Sequence, residues 1–236
     1  MKNYCKLFGI MALAAMICLS FAACGDDLGN GSGTDGSIGH GSGTDGNIYK
    51  KDIDYIKSKL GGNYQLAYEI TTYTNGTPRN KDYMAQTRTS YGYYCYDTNI
   101  GGSETLYIKN GSVYDCYVYI GSKYEIIGGD LSEADIAELM TILLNSMTSV
   151  YVNWKYVTPN GTDTVAARPC TKYTYSDYFT WYDGSSVQLT HNYSIDNETG
   201  ACLKYTLTAS NNAARDDLEY LCTTFKIGGA VLPEYQ

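Results

Sequence analysis

The stretch that decides the fold is ETLYIKNGSVYDCYVYI, residues 104–120, in which two runs of strand-forming residues flank an Asn-Gly pair. Asn-Gly between alternating apolar residues is a strong short-range signal of a β-hairpin. A two-residue turn at Asn110-Gly111 pairs Lys109 with Ser112 and continues from there along both strands. The stretch therefore predicts an antiparallel hairpin.

Both faces of this hairpin are substantially apolar. One face carries Thr105, Tyr107, Tyr114, Cys116, Val118 and Ile120, and the other carries Leu106, Ile108, Val113, Tyr117 and Tyr119. An antiparallel sheet normally shows one face to water, so we expect other parts of the protein to cover both sides. Within the second face, four side chains are candidate contacts for an apolar ligand: Leu106, Ile108, Tyr117 and Tyr119.

A second predicted hairpin, residues 186–209, is apolar on one face only. Its strands flank the loop DNETG, and closing that loop places Ile195 opposite Ala201 and His191 opposite Tyr205. The other face is polar and predicted to face solvent: Gln188, Thr190, Asn192, Ser194, Cys202, Lys204, Thr206 and Thr208.

Two helices complete the pattern. Ser132, with Asp135 three residues later, begins a helix whose apolar stripe is Ile136, Leu139, Met140, Leu143, Leu144 and Met147. An earlier helix runs from Lys51 to Leu60, and 217–227 reads as a final strand. The sequence thus predicts an α+β domain, mostly antiparallel β, in which a curved sheet or half-barrel packs on one or two helices.

This element order is similar to that of the LolA-like family of lipoprotein carriers and lipid-binding lipoproteins. The resemblance is most detailed in YSIDNETGACLKYTL, residues 193–207, and extends to YMAQTRTSYGYYCYD, residues 83–97, and to the first hairpin. In that family a curved sheet wraps helices to form an apolar half-barrel. The resemblance implies such a fold here and a lipid as the ligand.

The N-terminus has the pattern of a bacterial export signal. Lys2 and Lys6 precede an apolar run from Leu7 to Phe21, and FAAC at 21–24 resembles a lipobox. The resemblance implies a signal peptide at residues 1–23, a lipid anchor on Cys24 and a place at the outer membrane of a Gram-negative envelope. The acidic pair after Cys24 resembles a signal for export to the cell surface. The alternatives are secretion with a free Cys24 and an uncleaved anchor.

Residues 24–48 are predicted to be a flexible tether. They contain one ten-residue unit written twice, GNGSGTDGSI and GHGSGTDGNI. A calcium-binding roll needs a nine-residue period and more copies, and a phosphate loop needs a preceding strand and a Lys-Ser or Lys-Thr.

The remaining residues, 49–236, form one predicted domain. With 17 basic and 25 acidic residues the net charge is −8, which argues against nucleic acid as a partner.

The sequence gives no pattern of catalytic or metal-binding residues. His191 is the domain's one histidine, and we interpret it as a hydrogen-bonded residue at the edge of the core. The five domain cysteines show no zinc or redox spacing, and one or two disulfides among them stay open: Cys95, Cys116, Cys170, Cys202 and Cys222. We therefore expect a protein that is not an enzyme, with no cofactor and no metal.

Two functions fit these features. The first is an envelope lipoprotein, held at the membrane by Cys24, whose domain binds an apolar ligand such as a lipid. The second is a surface-exposed module that binds glycan or protein through aromatic loops, for which Tyr178 and Trp181 are the candidate contacts. Ligand identity, protein partner and oligomeric state are left open by the sequence.

Overall fold

The computed structural model describes residues 53–98, 102–148, 157–180, 184–210 and 217–235. The predicted signal peptide, the lipidated Cys24 and the tether lie outside the described residues, and so does Trp181.

Two helices are present in these ranges, α1 at Ile53–Leu60 and α2 at Glu133–Thr148. Helix α1 ends where Gly61, at a φ of 67°, donates its N–H to the Lys57 carbonyl at 3.0 Å. At the start of α2, Ser132 Oγ accepts the Asp135 N–H at 3.2 Å, and Asp135 Oδ2 accepts the Ser132 N–H at 2.8 Å. The predicted cap is therefore confirmed.

The described strands form one eleven-stranded antiparallel sheet. They are β1 Tyr64–Thr74, β2 Thr77–Arg88, β3 Gly92–Asp97, β4 Ser103–Asn110, β5 Val113–Ile120, β6 Lys123–Leu131, β7 Thr158–Val165, β8 Arg168–Thr180, β9 Ser186–Asp196, β10 Cys202–Ala209 and β11 Asp217–Ile227. The order across the sheet is β6-β5-β4-β3-β2-β1-β11-β10-β9-β8-β7. Strands β6 and β7 are thus the open edges, and α2 lies between them in sequence.

Both helices pack on the same face of the sheet. The larger buried cluster joins Ile56 and Leu60 of α1, and Leu143 and Leu144 of α2, to side chains of six strands and to Ala201, which precedes β10. The strand residues are Tyr64, Leu66, Tyr68, Ile70, Met84, Val165, Cys170, Leu203, Cys222 and Phe225. A second cluster packs α2 on β3 to β5: Tyr93, Tyr107, Tyr114, Ile136 and Met140. The class predicted from sequence, mostly antiparallel β with two helices, is confirmed. The sheet is open and uncurled, which is compatible with a half-barrel.

The register predicted for the first hairpin is wrong by two residues. Asn110 pairs with Val113 and Lys109 with Tyr114, so the turn is Gly111-Ser112 rather than Asn110-Gly111. Within the turn only Gly111, at the first position, has a positive φ, 65°. Asn110 therefore remains part of β4. Because side chains alternate with a period of two, this shift leaves every residue on its predicted face.

The second hairpin is also shifted by two residues, since His191 pairs with Leu207 and not with Tyr205. Nearer the loop, a bulge between Cys202 and Lys204 changes the alternation. The prediction that Cys202 and Ser194 face solvent is wrong: both are buried, and Ser194 Oγ donates to Asp163 of β7 at 2.8 Å. The predicted final strand is confirmed as β11.

Candidate ligand-binding sites

Three of the predicted ligand contacts, Leu106, Ile108 and Tyr117, lie together on the face of the sheet opposite the helices. Leu106 is 0% exposed. The C-terminal segment, residues 228–235, covers this face, with the Tyr235 ring 5.4 Å from the ring of Tyr117. The expectation that both faces of the hairpin are covered is therefore confirmed in part: α2 covers one face and the C-terminal segment the other, but Tyr119 and Ile120 at the end of β5 are 42% and 49% exposed. That these side chains contact a ligand stays a prediction.

The C-terminal segment turns back over the sheet at two glycines. Gly228 and Gly229 have φ values of 75° and 60°, a conformation that favours glycine. Asn63 holds the turn, because its backbone carbonyl accepts the Gly228 N–H at 2.8 Å and its Oδ1 accepts the Ala230 N–H at 2.7 Å. Beyond this point Leu232 is buried against β3 and β4.

Tyr119 lies on the same face as Tyr117, two residues further along β5, whereas Tyr178 is far from the hairpin. Tyr119 is 42% exposed and meets Tyr124 of β6 edge to face, with ring centroids 5.2 Å apart. Tyr178 is 71% exposed near the end of β8, eight positions from β5 in the strand order. The structure therefore does not bring Tyr178 together with the hairpin residues.

A pocket that the sequence did not indicate opens where α1, α2 and the sheet meet. Its volume is about 80 Å³, and its lining combines apolar side chains with two cations: Lys57, Gly61, Tyr64, Arg88, Ala137, Met140, Thr141 and Leu144. The pocket brings α2 together with α1 and the two strands that follow α1, all of which come much earlier in the sequence. One feature of the sequence could have indicated the position of Arg88. On β2 it follows Met84 and Gln86 at intervals of two residues, so its side chain lies on the same inward face as theirs.

The two cations of the pocket are held by neighbouring groups. Lys57 Nζ donates to Thr141 Oγ1 at 3.0 Å, which ties α1 to α2. The Arg88 guanidinium lies 5.1 Å from the centre of the Tyr93 ring and 3.8 Å from Glu133. Burial raises the pKa of Tyr64 to about 12, and the positive charge of Arg88 acts against that rise. Tyr64 is therefore a neutral hydroxyl at physiological pH.

Beside the pocket, α2 rests on a buried amide. Gln86 is fully buried, and its Nε2 donates to the Met140 carbonyl at 3.0 Å. Its Oε1 has no hydrogen-bond partner in the part of the chain that the structure describes. A buried acceptor without a partner costs about 1 to 3 kcal/mol. At this contact between the middle of α2 and the sheet, the amide nitrogen of Gln86 thus has a hydrogen bond and its oxygen has none within the described ranges.

The start of α2 is held more firmly. Glu133 accepts hydrogen bonds from the hydroxyl groups of Tyr93, at 2.8 Å, and Tyr114. These two bonds lower the pKa of Glu133, and the charges of Lys109 and Arg88 act in the same direction. A carboxylate at this position also suits the positive end of the helix dipole. Helix α2 is therefore fixed to β3 and β5 at its N-terminus.

The interpretation of His191 as a hydrogen-bonded residue is confirmed. Its Nδ1 lies 3.0 Å from Tyr205 Oη and its Nε2 lies 3.2 Å from Asp177 Oδ1. The ring stacks on Tyr193 at a centroid distance of 6.3 Å and also contacts Tyr175. Both ring nitrogens are engaged by neighbouring side chains, so the arrangement positions the imidazole within the sheet face.

All five domain cysteines are free thiols. Burial raises the pKa values of Cys95, Cys202 and Cys222 to about 12, and those of Cys116 and Cys170 to about 11. Such thiols are neutral and unreactive at physiological pH. Among the described residues, no group of three or more His, Cys, Asp or Glu side chains is placed to hold a metal ion. Neither described helix is long and apolar enough to span a membrane.

These features define an α+β domain in which an open antiparallel sheet carries two helices on one face. No family model matches the chain, and no curated protein matches it. Solved structures with a similar fold include LprF from Mycobacterium bovis, with 12% identity, a TM-score of 0.37, and coverage of 77% of this chain and 93% of LprF.

Two further solved structures have a similar arrangement. A LolA superfamily protein from Nitrosomonas europaea has 12% identity and a TM-score of 0.29, with coverage of 77% of this chain and 94% of that protein. The MucA/MucB complex of Pseudomonas aeruginosa has 15% identity and a TM-score of 0.32, with coverage of 76% of this chain and 58% of the matched chain.

Proposed function

We propose that this protein is a non-enzymatic envelope lipoprotein, tethered by a lipid on Cys24, whose domain binds an amphiphile with an anionic head group in the pocket beside α2. The observation that carries the proposal is the composition of that pocket, in which Met140 and Leu144 form an apolar wall next to Lys57 and Arg88. Apolar surface and a few placed polar groups are the usual features of a small-molecule site.

The two parts of the pocket match the two parts of an amphiphile. Each methylene that leaves water against Ala137, Met140 and Leu144 contributes about 0.8 kcal/mol. A carboxylate or phosphate at the mouth meets the ammonium of Lys57 and the guanidinium of Arg88, which bind such groups by charge-assisted hydrogen bonds. Each of these cations already lies 3.8 Å from a carboxylate, Lys57 from Asp54 and Arg88 from Glu133, so the head group of the ligand would compete with these two carboxylates.

A long acyl chain requires α2 to move. The volume of about 80 Å³ is below the roughly 300 to 1,000 Å³ of typical ligand sites. The proposed movement is a swing of α2 about its N-terminus, which Glu133 fixes, away from the half-satisfied contact at Gln86. A ligand atom that donates to Gln86 Oε1 would supply the missing hydrogen bond in the open state.

Binding is tested with palmitate that carries a fluorophore at its chain end. The chain lacking residues 1–24 should bind it, and Arg88→Gln should weaken binding about tenfold, the effect of losing one charge-assisted hydrogen bond. Ala137→Trp should weaken it further by filling the pocket. Lys123→Gln removes an exposed cation on edge strand β6 and is the matched control. Equal affinities for all four proteins, with unchanged melting temperatures, would reject the pocket.

The anchor is tested separately by detergent phase separation of the full chain. The wild-type protein should enter the detergent phase, because acyl chains add apolar surface at about 0.8 kcal/mol per buried methylene. Cys24→Ser should move it to the aqueous phase. A wild-type chain that stays aqueous would reject the lipid anchor while leaving the pocket proposal intact.

A further inference from the structure

The outward side of β8, β9 and β10 is a continuous polar surface on the face of the sheet opposite the helices. We call it the outer polar face and define it by ten residues: Thr174, Ser176, Tyr178, Thr180, Ser186, Gln188, Thr190, Asn192, Thr206 and Thr208. These positions alternate with buried side chains of the core-facing side, such as Tyr193, Tyr205 and Leu207. The face is therefore set by the pleat of the three strands.

Hydrogen bonds link side chains across the strands in rows. In one row Asn160 Nδ2 of β7 donates to Thr174 Oγ1 at 2.6 Å, and Thr174 Oγ1 donates to Asn192 Oδ1 at 3.0 Å. The row continues from Asn192 Nδ2 to Thr206 Oγ1 at 3.3 Å. Adjacent strands are about 4.8 Å apart, so the rows present polar groups at regular intervals on a surface whose side chains hold each other in place.

An exposed aromatic ring stands among these hydroxyl groups. Tyr178 is 71% exposed, although large aromatic side chains are seldom left so open to water. Gln188 lies directly opposite it on β9. The neighbouring rows are two hydroxyl pairs, Ser176 with Thr190 at 3.4 Å and Thr180 with Ser186 at 2.9 Å.

The outer polar face carries no formal charge, although the chain has 17 basic and 25 acidic residues. The charges next to it are Lys172 and Lys204, one row beyond Thr174 and Thr206, and Glu219 of β11, which lies opposite Thr206. Glu219 is paired with Lys204 at 3.3 Å, and Lys172 is three rows from Tyr178. Charge complementarity therefore favours an uncharged partner, because a charged one would lose hydration without gaining an opposite charge.

We propose that the outer polar face binds a neutral glycan, with one sugar ring stacked on Tyr178. Each hydroxyl pair uses one proton internally and keeps a second proton and several lone pairs for a ligand. Sugar hydroxyls supply the same mixture of donors and acceptors, and the apolar C–H face of a pyranose fits an aromatic ring. This function is additional to amphiphile binding, and the two sites lie on opposite faces of the sheet.

The test is native affinity electrophoresis of the full chain in gels that contain dissolved polysaccharide. The chain is solubilised in a polyoxyethylene detergent, which carries no sugar head group. Galactomannan, xyloglucan, dextran and a soluble β-glucan serve as neutral probes, and polygalacturonate serves as the acidic counterpart. We expect at least one neutral polysaccharide to retard the protein and polygalacturonate to have no effect.

Variants distinguish the outer polar face from other surfaces. Tyr178→Ala should weaken the retarding interaction about tenfold or more, and Gln188→Ala should weaken it to a smaller extent. Tyr91→Ala removes another exposed tyrosine, 51% open to solvent and outside the face, and should migrate like the wild type. The proposal is overturned if no neutral probe retards the wild-type chain, or if Tyr178→Ala and Tyr91→Ala are retarded equally.

Discussion

Asp196, the first residue of the DNETG loop, provides a direct test of how the β8–β9–β10 half of the sheet is held together. Its carboxylate is 0% exposed. Arg168 of β8 donates to both oxygens, from Nε at 2.9 Å and from Nη2 at 3.0 Å. Thr199 adds bonds from its backbone N–H at 2.8 Å and its hydroxyl at 2.7 Å. We predict that Asp196→Asn, which keeps the shape but removes the charge, strongly destabilises the fold.

The size of the destabilisation follows from the charge of Arg168, which loses its buried partner in this variant. Removing one partner of a buried ion pair typically costs about 3 to 5 kcal/mol, because the other charge loses its compensation. Arg168 is 22% exposed and retains Glu198 at 2.7 Å, so the cost should fall near the lower end, at about 3 kcal/mol. For a chain of this size each kcal/mol lowers the melting temperature by about 2 to 4 °C. The expected decrease is therefore about 6 to 12 °C.

The matched control is Glu198→Gln, which removes a charge from the same arginine at an exposed position. Glu198 is 64% exposed, and exposed ion pairs contribute about 0 to 1 kcal/mol. Urea unfolding followed by tyrosine fluorescence gives the free energy of unfolding of both variants. The comparison requires that the m-value, the slope of that free energy against urea concentration, is the same for both. If Asp196→Asn costs less than about 1 kcal/mol, or no more than Glu198→Gln, the account of this loop is wrong.

The pH dependence gives a second check on the same residue. Burial alone would raise the pKa of Asp196, but the hydrogen bonds from Arg168 and Thr199 outweigh it and lower the pKa below its ordinary value. The stabilisation from the charged carboxylate is therefore complete above the unfolded-state pKa of about 3.9 and is lost as pH falls towards the lowered native value. The difference in stability between wild type and Asp196→Asn should be constant near neutrality and shrink below about pH 4.

Three further outcomes are expected. Gly92→Ala should cost about 2 kcal/mol in urea unfolding, because its Cβ would lie 2.5 Å from the Tyr107 carbonyl oxygen, whereas Gly128→Ala has open space and should be near neutral. Ser132→Ala should cost about 1 kcal/mol by removing the cap of α2, and a loss below about 0.3 kcal/mol in the same assay would contradict that role. The five domain thiols, being buried with raised pKa values, should react slowly with iodoacetamide at pH 8 and fast in urea, as read by peptide mass spectrometry.

The sequence predicted which face each hairpin residue occupies but not which residue it pairs with. Faces depend on a period of two, which is visible in the sequence of one strand. Pairing depends on where the turn falls, and Asn110-Gly111-Ser112 offers two adjacent positions for it. The structure uses Gly111 as the first turn residue, and the shift is invisible to any argument from alternation. The bulge at Cys202 is a similar case, because it has no glycine or proline to indicate it.

The pocket beside α2 was beyond the reach of sequence reasoning for a different reason. Lys57, Arg88 and Thr141 are separated by long stretches of chain, and each belongs to an element with its own internal pattern. The periodicity of α2 predicted correctly that Ile136, Met140, Leu143 and Leu144 would be buried. It contained no information on which strands the stripe meets, and therefore none on which cations would stand next to it.

The C-terminal segment explains why the proposed amphiphile site is on the helix side of the sheet. The first hairpin is apolar on both faces, so an open surface on either side would be costly at about 25 cal/mol per Å². Residues 228–235 cover the outer face through Leu232 and Tyr235. A ligand there must displace part of the protein's own chain. On the inner face, α2 already leaves an opening between Met140, Leu144 and Arg88, so the proposed ligand would enter this opening before the helix moves.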